Sequence, residues 1–212
     1  MINQKLKKYI KNSILPVYNT FDKGHGSHHI KGVIKRSLNY AKELNEPLNF
    51  NMVYVVAAYH DYGMKIERKN HNIHSSTLLK ADQTLKQWFN GEQIDAMAEA
   101  VEDHSTSKGI EPRSIYGKIV SDADKDTNIT VSLTRVLEFS FAHNPQFSKE
   151  EHFENCFSHM CLKYGDEPLV KFYLTTSNNK KYLKQIKKLT KNKILVFQKF
   201  EQIAKRITKK PL

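Results

Sequence analysis

Apolar residues recur at three- and four-residue intervals along almost the whole chain, and no stretch alternates apolar with polar residues as a half-buried strand must. That period sets the fold class: all-α. It predicts helices at about 2–15, 28–45, 49–61, 72–89, 91–104, 113–126, 128–142, 148–164, 167–175 and 178–209. Between them stand the breakers this reading requires, "NEPLNFN", "NGEQ", "SKGIEP", "AHNPQFS", "YGDEP" and "TSNN". A chain of 212 residues buries most of its apolar surface without staples, and 39% hydrophobic with 26% charged residues is a folded composition. No repeat or low-complexity linker interrupts it, so one domain is expected over 1–212. Its parts are an N-terminal helix at 1–20, a core at 21–142 and a C-terminal helical part at 143–212 packed on that core.

Several function classes fall away at this level. The N-terminal "MINQKLKKYIKNSILPVYN" spaces Ile2, Leu6, Ile10 and Ile14 by four, an amphipathic helix rather than the unbroken apolar run of a signal peptide. No window approaches about eighteen uncharged apolar residues, so no membrane partner and a cytoplasmic location are expected. Cys156 and Cys161 stand five apart on one helix, pointing in different directions, and read as free thiols. The net charge of +12 invites a nucleic-acid reading. Much of that excess, however, lies in "NNKKYLKQIKKLTKNKILVFQKFEQIAKRITKK", where Tyr182, Ile186, Leu189, Val196, Phe200, Ile203 and Ile207 form an apolar stripe. The lysines fill the opposite face with no interleaved aromatics, which favours a solvated helix over a nucleic-acid site.

Three stretches carry chemistry. "FDKGHGSHHIKGV" packs His25, His28 and His29 into five positions. "NMVYVVAAYHDYG" is an apolar helix with Val53, Val56, Ala57 and His60 on one face, ending in His60-Asp61. A buried imidazole beside a carboxylate needs partners, and a divalent cation satisfies both together. "IYGKIVSDADKDTN" places Asp122, Asp124 and Asp126 near a helix C-terminus, where the dipole is negative and something positive must compensate, either Lys118 and Lys125 or a cation. At about 100° per residue, Asp122 and Asp124 lie on opposite flanks of the apolar stripe, and periodicity leaves them tied.

The order is His, then His-Asp, then Asp, each on its own helix. "DKGHGSHHIKGV", "VVAAYHDYG", "EDHS" and "GKIVSDADK" together resemble the HD-domain metal-dependent phosphohydrolases, and small single-domain bacterial members above all. The resemblance implies a compact multi-helix bundle with residues 21–142 as its metal-site core, and makes His29, His60, Asp61 and Asp124 the metal ligands. It favours Asp124 over Asp122 through the family's Ala-Asp-x-Leu pattern, although Asp126 stands where leucine is usual. It places His74 and His104 where similar enzymes hold a second metal or the substrate phosphate.

Two imidazoles and two carboxylates suit Mn²⁺, Fe²⁺, Co²⁺, Ni²⁺, Zn²⁺ or, less comfortably, Mg²⁺. The expected reaction is hydrolysis of a phosphate ester by metal-activated water. Asp61 orients or deprotonates that water, and His25 or His104 protonates the leaving oxygen. Lys65, Arg68, Lys108, Arg113 and Lys125 lie near these motifs in sequence, and with Asp122 and His74 are the candidates for a second metal or further phosphates. A small phosphorylated substrate, of nucleotide type, is expected as partner, with neither a P-loop nor a dinucleotide glycine motif to specify it. The alternatives are a metal-dependent nuclease acting on polynucleotides and a non-catalytic metal-containing nucleotide-binding protein.

Overall fold

The computed structural model describes residues 1–22, 24–105, 110–125 and 127–208, which contain helices and no strand. They fall into two compact units, Met1–Lys125 and Asp126–Leu212.

The first unit is built round α3 (Phe50–Tyr59), of whose ten residues Met52 to Tyr59 are all buried. A helix apolar on every side has to be wrapped by others. α2 (Ser27–Leu44), α5 (Gly91–Asp103) and α6 (Ile115–Asp124) surround it, with α4 (His71–Ala81) against α5 and α1 (Gln4–Tyr9) leading in. Asn49 caps α3 through the Asn51 and Met52 amides, and the Tyr116 hydroxyl bonds the Asn49 amide at 3.0 Å. Tyr18, fully buried, donates to the Ala58 carbonyl at 2.8 Å and pins the other end.

Two predicted boundaries in this unit shift. The N-terminal helix is α-helical only to Tyr9 and continues as a π turn and a 3₁₀ helix to Thr20, Pro16 standing at the start of the latter. The helix expected at 72–89 ends at Ala81. Asp82 breaks it by turning extended, accepting the Thr84 amide and the Tyr9 and Tyr59 hydroxyls.

The second unit packs α7 (Ile129–His143), α8 (Lys149–Tyr164), α9 (Ser177–Thr190) and α10 (Lys193–Thr208) around Leu133, Leu137, Phe153, Met160, Ile186 and Phe200. Residues 167–175 are not helical as expected: Pro168 lacks an amide hydrogen, and Leu169 and Val170 bond back to Leu162 and Lys163 carbonyls. The long helix expected at 178–209 is two, because the Asn192 side chain accepts the Leu195 amide at 3.0 Å and starts α10 afresh. Cys156 and Cys161 are free. No helix among the described residues is long and apolar enough to cross a membrane.

Candidate metal centre

Five helices of the first unit bring four histidines and two aspartates together. α3 ends at Tyr59, and the chain turns at His60-Asp61 so that both side chains are buried, with His60 fully enclosed. His29 comes from the first turn of α2, His71 begins α4, His104 follows α5 and Asp124 ends α6. The two oxygens of Asp61 face different partners. Oδ2 lies 3.2 Å from His60 Nε2 and 3.7 Å from His29 Nε2. Oδ1 lies 3.3 Å from His71 Nε2 and 3.5 Å from His104 Nε2. Asp124 Oδ1 completes the first side, 3.0 Å from His29 Nε2 and 3.7 Å from His60 Nε2.

The ring orientations favour a cation. His60, His71 and His104 each direct Nδ1 at a backbone carbonyl, of Ala57 at 2.9 Å, Arg68 at 2.8 Å and Val101 at 2.6 Å. A carbonyl only accepts, so Nδ1 carries the hydrogen and a neutral ring presents its Nε2 lone pair to the centre. The Nε2 atoms of His71 and His104 then face each other at 3.1 Å, a separation met by a proton on one ring or by a cation held by both. On the other side, Nε2 of His29 and of His60 are buried without a hydrogen-bond partner. Ligand atoms about 2.1 Å from one ion sit about 3.0–3.4 Å apart at octahedral to tetrahedral angles, close to the separations here. The residues fit one divalent ion among His29, His60, Asp61 and Asp124, and a second among Asp61, His71 and His104.

The electrostatics agree. Burial would raise the Asp61 carboxyl, yet His60 and His104 hold it well below the ordinary carboxylate range. Asp124 behaves alike, burial being outweighed by His29 and His60. Burial disfavours charge on His60, but Asp61 and Asp124 overcome it and raise the imidazole to about 10. Both carboxylates are thus ionised, and in the absence of a metal His60 holds a proton where a cation would otherwise serve.

Residues 26–129 match the family model of the HD domain. The chain carries an HD domain. No curated protein and no solved structure matches it. The HD domain belongs to a superfamily of metal-dependent hydrolases, and its His-Asp pair is the His60-Asp61 at the centre of the cluster.

Placement of the other expected residues follows from helix faces. Asp122 is fully buried, bonds Lys125 at 3.1 Å and does not line the HD cleft, so of the tied pair it is Asp124 that meets His29. His74, expected at the second site, points instead at Glu67, 3.4 Å away, and His71 takes the place beside Asp61. The two are three residues apart and diverge across the helix. The spacing of four that joins His71 to buried Ser75 and Leu79 is the signal that singles out His71. Lys65 lies over the Tyr62 ring at 3.7 Å, and Arg113 is bound to Asp103 and Glu102; neither lines the cleft. Arg68 bonds Asp22 at 2.6 Å. Lys108 and Asp126 lie outside the described residues.

A cleft of about 250 Å³ opens onto the cluster, lined by His25, His71, His104, Ser121, Asp124 and Lys125 among others. His25 Nδ1 is held by Asp22 at 3.0 Å, and Asp22 is held low, to about 2, with burial opposing and His25 and Arg68 prevailing.

Proposed function

We propose that the protein is a divalent-metal-dependent phosphohydrolase that cleaves a phosphate ester of a nucleotide. The observation that carries this reading is the convergence of four histidine Nε2 atoms on the two oxygens of one buried carboxylate, with Asp124 closing one side. Four imidazole nitrogens turned on one buried carboxylate form a mixed nitrogen and oxygen donor set that suits divalent cations. Bound there, a divalent ion supplies Lewis acidity and lowers the pKa of water towards neutrality.

The chain's own residues do the rest. Asp61 keeps its charge and presents both oxygens, which sets the spacing between the two histidine pairs. Lys125 lines the cleft, and its ammonium, paired with Asp122, adds positive charge where a phosphate oxygen would enter. His25 also lines it, its ring oriented by the hydrogen bond to Asp22, and is placed to give a proton to the leaving oxygen. His104 is the poorer donor, since one nitrogen is spent on Val101 and the other faces Asp61 and His71. The cleft is smaller than the roughly 300 Å³ at which sites for whole small molecules begin, so it takes the phosphate end and leaves the base outside.

The test is metal analysis of the purified protein, before and after reconstitution with Mn²⁺ or Co²⁺. It is run beside phosphate release from a mixed nucleotide panel by wild type, His60→Ala and Asp61→Ala. One or two ions per chain, with release abolished in both variants, supports the reading. Metal with saturable nucleotide binding but no product makes it a binding protein, and cleavage confined to polynucleotides makes it a nuclease. No metal in folded wild type, even after reconstitution, overturns the site.

A further inference from the structure

A second cleft, in the unit Asp126–Leu212, shares no lining residue with the metal centre. Its volume is about 460 Å³, within the roughly 300–1,000 Å³ of small-molecule sites. One wall is a continuous face of α9, where Lys181, Gln185 and Lys188 are exposed above buried Tyr182 and Leu189. Leu195 and Lys199 of α10 form a second wall, and residues 127–130 a third.

Its charge is one-sided. Among the described residues, three lysines line it and no aspartate or glutamate does. Three lysines elsewhere in this unit pair with carboxylates, Lys149 with Glu201, Lys191 with Asp166 and Lys193 with Glu154, while others, such as Lys180, Lys184 and Lys187, stand on open helix surface. Lys181, Lys188 and Lys199 have no such partner among the described residues, so a cleft of formal charge +3 is left to be neutralised from outside. Neutral donors stand among the lysines. Asn178 donates to the Thr127 hydroxyl at 2.7 Å, which fixes that rim. The Ile129 and Thr130 amides open α7 and have no acceptor inside their own helix.

The shape argues against a nucleic-acid strand. Binding of single strands leans on exposed aromatic faces, and Tyr182, the one aromatic in the lining, is 1% exposed with its hydroxyl against Ser132. Lysines act as adaptable point charges, which suits several phosphate groups on one flexible chain.

We propose that this cleft binds a small polyphosphorylated molecule of nucleoside-triphosphate or inorganic-polyphosphate type, recognised by its charge through Lys181, Lys188 and Lys199. Such a site gives the protein a second ligand, bound without metal.

Calorimetric titration of ATP and of inorganic tripolyphosphate into the full-length protein in EDTA tests it, since the chelator removes any metal-assisted binding at the HD centre. Saturable binding of either probe is expected. Lys181→Ala weakens it about tenfold, the usual scale for one charge-assisted contact, and the Lys181/Lys188/Lys199 triple alanine variant abolishes it. Lys180, Lys184 and Lys187 are exposed on the same helix but outside the cleft, and their triple alanine variant binds like wild type. If the cleft triple variant does not fold, single Lys181→Gln and Lys188→Gln variants replace it, each weakening binding about tenfold. The proposal is overturned if neither probe binds at about 0.15 M salt, if the two triple variants weaken binding equally, or if the cleft variants bind unchanged. An oligonucleotide held by these lysines that ATP does not displace overturns it as well.

Discussion

Gly63 ties the fold to the metal centre most tightly. It follows the His60-Asp61 turn, and its amide donates to the buried Ser75 hydroxyl of α4 at 2.7 Å. A Cβ at this position would lie 2.3 Å from the His71 carbonyl oxygen, 2.4 Å from the Ser75 nitrogen and 2.7 Å from the His74 Cβ. The two nearest are backbone, so no rotamer relieves the clash. Ordinary contact begins near 3.4 Å, and the start of α4 has to retreat by about 1.1 Å. Overpacking of this kind costs about 1–3 kcal/mol, and stretching the buried Gly63–Ser75 bond adds about 1 kcal/mol. Gly63→Ala is therefore expected to lose about 3 kcal/mol, and in a chain of this size to lower Tm by about 6–12 °C.

The same displacement carries His71 away from Asp61 Oδ1, now 3.3 Å distant, by more than the roughly 0.5 Å that a group of metal ligands tolerates. His29, His60 and Asp124 do not ride on α4 and stay in place. Metal analysis should thus show Gly63→Ala losing the ion at His71 and His104 while keeping the other. Gly91→Ala is the control: its Cβ meets nothing within 4 Å at the first position of α5, and Tm should hold or rise slightly. A Gly63→Ala protein that melts within about 2 °C of wild type with its full metal content would refute the packing argument.

Four further outcomes follow from the site. His71→Ala should lower metal content, by elemental analysis, and phosphate release, whereas His74→Ala should change neither beyond about twofold, since His74 faces Glu67. Arg36→Met removes the 2.6 Å bond to the Ala123 carbonyl that anchors the end of α6, and should weaken metal affinity about tenfold in a chelator competition. Chelation should lower Tm, because an ion present at 100 times its Kd contributes about 2.7 kcal/mol to the folded state. That gain should also depend on pH. In metal-free protein His60 is raised to about 10, so its stabilising pair with Asp61 and Asp124 is complete below about 6.5 and lost as pH rises towards 10. The Tm difference between metal-loaded and metal-free protein should widen from pH 6.5 to 9, and a difference that narrows would contradict the exchange of proton for metal.

The helical class was legible because α2, α5, α9 and α10 each carry an apolar period long enough to rule out strands. His60-Asp61 was legible because a polar pair closing an otherwise apolar helix stands out. Asp124 was not separable from Asp122 by period, since a stripe's two flanks are equivalent until neighbouring helices are placed; α2 brings His29 to one flank, and Lys125 folds back on the other. His71 was missed for a related reason. His74 lies nearer the apolar "SSTLL" run, and only the four-residue step from His71 to Ser75 and Leu79 identifies the face turned inward. The break at Asp82 depends on tyrosines 73 and 23 residues away, a long-range bond no local pattern contains.

The direction of the five helices explains why this cluster suits a cation. α3, α5 and α6 all finish at the site, so three helix C-termini, each with about half a negative charge, point towards two ionised carboxylates. Negative ends converging in a buried place would repel one another unless a positive charge lies among them. α2 and α4 begin there instead, and they contribute His29 in a first turn and His71 at a first position. Burial, with His104 beside it, holds His71 below the ordinary imidazole range, towards the neutral form that ligates a metal. The carboxylates and His60, by contrast, sit at C-terminal ends that favour positive charge. The fold therefore separates the two requirements of a mixed nitrogen and oxygen site. Helix ends concentrate negative potential on Asp61 and Asp124, while helix starts bring the Nε2 atoms of His29 and His71 up to those carboxylates.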